Sequence, residues 1–143
     1  MSYLEDREKY FKLFSDYCNS LITAVNFEKD FSMLWEASRD EMYERRKDWE
    51  RRFDSELLRE LDEGKISHDE FNKRWNDLWG MTDDVLALSD ILNRTYTTCD
   101  CFDPDIPDDE ADPPFVLSEK LFRGEVLALY HELTIFMKKH SDT

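Results

Sequence analysis

Ile22-Thr23-Ala24-Val25-Asn26-Phe27-Glu28-Lys29-Asp30-Phe31-Ser32-Met33-Leu34-Trp35 and Ile66-Ser67-His68-Asp69-Glu70-Phe71-Asn72-Lys73-Arg74-Trp75-Asn76-Asp77-Leu78-Trp79 share one pattern, Ile-[Thr/Ser]-x-x-x-Phe-x-x-x-[Phe/Trp]-x-x-Leu-Trp. Each copy opens on a hydroxyl suited to accept a backbone N–H at a helix start. The isoleucine before it is placed to staple against the phenylalanine five positions on, and in the second copy Glu70 completes a capping box with Ser67. The aromatic and Leu-Trp positions then recur at helical spacing and make one apolar face. A helix-start unit used twice predicts an all-helical chain and says nothing by itself about chemistry.

The flanking segments carry the same signals. From Tyr3 to Leu21 the apolar positions Phe11, Phe14, Cys18 and Leu21 step by three and four, with Asn19-Ser20 as the end. After Thr23 neither Gly nor Pro occurs before Gly64, so residues 24–63 form one long helix or two. A break is expected between Ser38 and Asp54, because an unbroken helix of that length overshoots so small a domain. Within it, Arg39-Asp40-Glu41-Met42-Tyr43-Glu44-Arg45-Arg46-Lys47-Asp48-Trp49-Glu50-Arg51-Arg52 interleaves acids and bases at i,i+3 and i,i+4, the spacing of a solvated, self-paired face. Asp62-Glu63-Gly64-Lys65 is a turn, with Gly64 ending one helix before Ser67 starts the next.

Thr82 caps a further helix whose first turn holds Asp83 and Asp84, with Met81 placed to staple onto Leu86 and Val85, Leu88, Leu92 and Tyr96 as the buried stripe. The last helix starts at Ser118, buries Phe122, Val126, Leu129, Leu133 and Phe136, and ends on Lys138-Lys139-His140 at the negative end of its dipole. No segment shows period-two alternation with hairpin turns. The expectation is an all-α, single-domain antiparallel bundle of four to six helices over residues 1–143, with one long acidic, Pro-rich loop at 99–115.

That loop is the feature that bundle packing does not explain. Cys99-Asp100-Cys101-Phe102-Asp103-Pro104-Asp105-Ile106-Pro107-Asp108-Asp109-Glu110-Ala111-Asp112-Pro113-Pro114 holds all four prolines and no basic residue. Its composition predicts a stiff, extended strand of chain. Asp100, Asp103, Asp105, Asp108, Asp109, Glu110 and Asp112 supply nearly half of the formal charge of −15. A field of that sign disfavours direct nucleic-acid binding and suits a basic partner.

Other chemistries find no support in the spacing. An EF-hand counted from Asp103 puts Asp108 where glycine is required and Pro114 where the bidentate glutamate belongs. Cys99-x-Cys101 has no second Cys or His pair to complete a zinc tetrahedron, and no His stands in a Glu-x-x-His motif. There is no Gly-x-Ser-x-Gly and no phosphate loop. His68 is expected at an exposed helix start and His131 beside the apolar stripe. Phe27, Phe31, Trp35, Phe71, Trp75 and Trp79 are expected in the core rather than stacked on a ligand. The chain is therefore expected to be a binding protein without enzyme activity, cofactor or metal. No apolar run reaches membrane-spanning length and no leader pattern opens the chain. With Cys18, Cys99 and Cys101 expected as free thiols, the cytoplasm is the expected compartment.

The segment Leu61-Asp62-Glu63-Gly64-Lys65-Ile66-Ser67-His68-Asp69-Glu70-Phe71-Asn72-Lys73-Arg74-Trp75-Asn76-Asp77-Leu78-Trp79 resembles the small helical immunity proteins of the colicin D type, including those that protect against contact-dependent inhibition toxins. Leu86 to Leu92 leading into Cys99-Asp100-Cys101-Phe102-Asp103-Pro104-Asp105 is similar to that family's hydrophobic helix followed by an acidic Asp-x-Phe-x-Pro-Asp segment. The resemblance covers residues 57–138, and the first sixty residues are longer than its pattern. It implies an inhibitor that binds a nuclease toxin domain, often one that cleaves tRNA, and blocks its basic cleft with carboxylates in place of RNA phosphates. Residue matching carries that role onto Asp100, Asp103 and Asp105, while Asp108, Asp109, Glu110 and Asp112 join them through charge alone. The alternative is a helical adaptor that docks a folded partner through apolar helix faces.

Overall fold

The computed structural model describes the backbone of residues 2–49, 55–78 and 82–140, and the side chains of 3–47, 56–77 and 82–140. Within these lie seven α-helices: α1 (Ser2–Glu5), α2 (Arg7–Cys18), α3 (Ala24–Trp49), α4 (Ser55–Asp62), α5 (His68–Leu78), α6 (Asp83–Asp100) and α7 (Glu119–Lys139). No sheet forms among the described residues, only two isolated bridges. The all-α architecture is as the sequence predicts, with more helices than the four to six expected.

The hydroxyl caps form where the sequence places them. Thr23 accepts from Asn26 N–H, Ser67 from Glu70 N–H, Thr82 from Val85 N–H and Ser118 from Leu121 N–H. Glu70 turns along the helix, its carboxylate accepting from Arg74 Nε at 3.0 Å. Two helix ends close alike. Gly64 at φ 70° lets Lys65 N–H reach Glu60 O, and Ser20 at φ 62° lets Leu21 N–H reach Asp16 O. A left-handed glycine is unstrained there, whereas a left-handed serine carries a local cost.

Four helices, α2, α3, α6 and α7, form the bundle, each packed on two of the others. Ring and charge pairs give the direction of three of the four neighbouring pairs. Tyr17 meets Phe27 while Tyr10 meets Phe31, and Tyr17 meets Phe122 while Phe11 meets Tyr130. On the remaining face Phe102 meets Phe122, Arg94 meets Glu132 and Asp84 meets His140. All these pairs are antiparallel. Tyr10, Phe14, Phe27, Phe31, Leu88, Leu92, Phe122, Val126 and Leu133 are wholly buried between them. Burial on this scale removes several large apolar side chains from water, each a gain of about 1.5–3 kcal/mol.

Three details depart from the sequence reading. On α2 the buried stripe is Tyr10, Phe14 and Tyr17, with Phe11 and Cys18 at its edge and Leu21 exposed beyond the helix end. A tyrosine ring buries as much apolar area as phenylalanine once its hydroxyl is placed, and Tyr10 places its own on Ser38 Oγ at 2.8 Å. Ser38 does not break α3. Its hydroxyl bonds back to Leu34 O, and the helix continues to Trp49; of the interval in which a break is expected, residues 50–54 lie outside those described. Finally, Phe71 and Trp75 are half-buried on the α4–α5 hairpin, apart from the main core, and the side chain of Trp79 lies outside the described residues. Met81 also lies outside them, while Leu86 is exposed.

Candidate functional site

The acidic segment is not extended. Its base is clamped by Asp103 N–H donating to Leu117 O at 3.0 Å and Leu117 N–H to Cys101 O at 2.8 Å, while Phe102 stacks on Phe122 with centroids 4.2 Å apart. Asp103 Oδ1 then accepts from Asp105 N–H at 3.0 Å. A short 3-10 turn spans Asp108–Glu110, and Asp112 and Val116 close a second turn through bonds in both directions at 2.8 and 2.9 Å. The Pro113-Pro114 bond within that turn is cis. Prolines fix φ and withhold donors, but the residues between them keep theirs and spend them on turns. The result is a compact cap seated against α7.

Asp100, Asp103, Asp105, Asp108, Asp109, Glu110 and Asp112 are all exposed on this cap or at its root. Among the described residues none of the seven is ion-paired. Elsewhere carboxylates are commonly paired: Arg94 holds Glu132 through two bonds of 2.6 and 2.8 Å, Arg45 meets Glu41 at 2.7 Å and Lys12 meets Asp16 at 2.6 Å. Asp100 ends α6, where a negative charge faces the negative end of the helix dipole and costs stability. Unpaired, unfavourably placed carboxylates on an ordered scaffold produce a concentrated field directed at solvent, suited to a cationic surface.

Sequence reasoning missed Phe115. It is 72% exposed, at the closing edge of the Asp112–Val116 turn, with Phe115 N–H donating to Asp112 O at 2.8 Å. The only sequence signal was an aromatic after two prolines in a polar run, outside any helical period. An exposed aromatic inside a charged rim has the make-up of an interface anchor. Arg123 was also missed. It donates to Cys18 O at 3.0 Å, Tyr17 O at 3.4 Å and Ser20 Oγ at 3.3 Å, so the second turn of α7 closes the end of α2 beside the cap.

Cys18, Cys99 and Cys101 are free thiols. Burial pushes the Cys99 thiol well up, with Glu28 and Asp100 adding to the shift, and burial also raises Cys18 against the pull of Arg123. Neither thiol is poised as a nucleophile. His68 and His131 are exposed, and among the described residues no group of three His, Cys, Asp or Glu side chains is placed to hold a metal. No helix among them is long and apolar enough to cross a membrane. Set against family models, curated proteins and solved structures, the chain matches none.

Proposed function

We propose that this protein is an immunity protein: it binds a cognate bacterial nuclease toxin domain, of the tRNA-cleaving kind, and lodges its acidic cap in the toxin's basic substrate cleft. The observation that carries this reading is the set of seven exposed carboxylates on one ordered cap and at its root, none ion-paired among the described residues, in a segment without a basic residue. Carboxylates so arranged replace RNA phosphates electrostatically, and concentrated opposite charge accelerates encounter. Because the cap is already folded, docking orders little further chain. Phe115 supplies an apolar anchor within the charged rim. The reading places the protein in the cytoplasm, where an incoming nuclease meets its RNA.

The test is cleavage of total tRNA by the partner toxin domain with and without an equimolar amount of the purified protein. Protection that weakens as salt rises, and that is lost when Asp105, Asp108 and Asp109 are changed together to Asn, supports the proposal. A second reading, the helical adaptor, is favoured by Leu21, Val25 and Met33, which are 73%, 50% and 62% exposed. Binding to a folded partner that is indifferent to salt and to the cap variant would select it.

A further inference from the structure

The outward face of α7 carries a stripe without acids. Lys120, Gly124, Leu127, His131, Ile135 and Lys138 recur at steps of three and four, opposite the buried row Phe122, Val126, Leu129, Leu133 and Phe136, and all six are exposed. Leu127 and Ile135 are 43% and 44% exposed. In a chain with 34 acidic residues this stripe holds none, and a lysine stands at each of its ends. The acids that flank it, Glu125 and Glu132, lie on the α6 side: Glu132 is held by Arg94 at 2.6 Å, and Glu125 lines the groove between α6 and α7.

Gly124 is a second, independent observation. It sits inside α7, where glycine is the least favourable residue after proline. Neither conformation nor packing within the chain calls for it. Its φ is not positive, in contrast to Gly64 at 70°, and a Cβ placed on it meets no described atom within 4 Å. The missing side chain leaves a notch on the solvent side, and Ala128 follows one turn later. Small residues one turn apart on an exposed face let the backbone of a second helix approach more closely than larger side chains allow.

We propose that this face docks an amphipathic helix of a protein partner whose apolar side is bordered by acids. The partner's backbone crosses α7 at Gly124, its apolar side chains cover Leu127 and Ile135, and its carboxylates meet Lys120 and Lys138. The stripe runs for about 27 Å in a straight line, a shape that a helix matches along its whole length. Charge chooses the partner. A second copy laid antiparallel over the same stripe sets Lys120 against Lys138, whereas an acidic helix opposes each lysine with a carboxylate. The negative charge of the rest of the chain acts weakly here, because exposed charges more than about 8 Å apart are screened at physiological salt. The stripe lies outside the acidic cap and does not depend on the reading given to that cap.

The experiment is fluorescence anisotropy of a labelled helical peptide of about 18 residues, with Leu and Ala on one face and Glu along its borders, titrated with the full chain. A peptide of the same composition in scrambled order is the control. Saturable binding of the helix, with the scrambled peptide about tenfold weaker or worse, is the expected result. Gly124→Ala separates this contact from a structural role, because it is expected to raise the melting temperature of the chain and yet weaken the peptide several-fold. Gly124→Leu is expected to weaken the peptide about tenfold, and Lys120→Glu to weaken it and to remove much of its salt dependence. No saturable binding, or equal binding by wild type, Gly124→Ala and Gly124→Leu, overturns the proposal. So does a dimer in sedimentation that Gly124→Leu dissolves, which would assign the face to a second copy.

Discussion

At the scale of single residues, the structure shows polar atoms placed by long-range partners. Arg123 reaches the last carbonyls of α2 from a position more than a hundred residues away. Nothing local to Arg123 announces this, since the basic residue that closes a helix normally belongs to that helix. Arg123→Ala is expected to lower stability by about 1–2 kcal/mol, the worth of charge-assisted hydrogen bonds, as read by urea denaturation. Ser20→Gly at φ 62° is expected to change it by less than about 0.5 kcal/mol, because relief of the left-handed conformation is offset by loss of the Ser20 Oγ that accepts from Arg123. Cys99, 3% exposed and with its thiol held protonated by burial, is expected to react with a thiol reagent only as fast as the protein opens, behind Cys18 and Cys101. Equal native-state rates for the three would contradict that placement.

At the scale of elements, the repeat was informative about starts and misleading about burial. All four hydroxyl caps were legible, because an N-cap depends on a few adjacent residues. The stripe of α7 was legible too, since Phe122, Val126, Leu129, Leu133 and Phe136 face a continuous partner surface. The second copy of the repeat matched the first in pattern but not in surroundings: Phe31 sits in the bundle, and its counterpart Trp75 sits on a hairpin that flanks it. Periodicity identifies which face is apolar and leaves open how completely a neighbour covers it. Phe27→Ala is accordingly expected to cost about 3–5 kcal/mol and Trp75→Ala less than about 2 kcal/mol, measured as separate denaturation midpoints. The cap was visible as charge and hidden as shape, since its turns use backbone donors that composition does not display. Changing Asp105, Asp108 and Asp109 to Asn while keeping Asp103, whose carboxylate holds a turn, should leave helix content and melting temperature unchanged. A drop in either would make those acids structural.

At the scale of the whole molecule, the buried tyrosines set an alkaline limit. Burial raises Tyr3 to about 12 and also lifts Tyr10 and Tyr17 above their ordinary 10. In the unfolded chain these hydroxyls ionise near their ordinary value, while the native state holds them neutral. Their contribution is therefore fully present below pH 10 and is lost as pH rises through the raised native values. Melting temperatures followed from about pH 8 to 11 are expected to hold steady and then fall. A flat profile to the alkaline end would show that the native state ionises these tyrosines freely.

The bonds joining Asp103 and Cys101 to Leu117 have a consequence for how such a molecule diversifies. They bring the two ends of the cap together, so the helices on either side are already tied before the intervening chain begins. Whatever sequence spans that gap inherits a closed doorway rather than having to build one. On the function proposed for the cap, recognition changes by exchange of a single insert, leaving the aromatic interior untouched, and a graft of this insert onto another helical pair with the same spacing carries its partner preference with it.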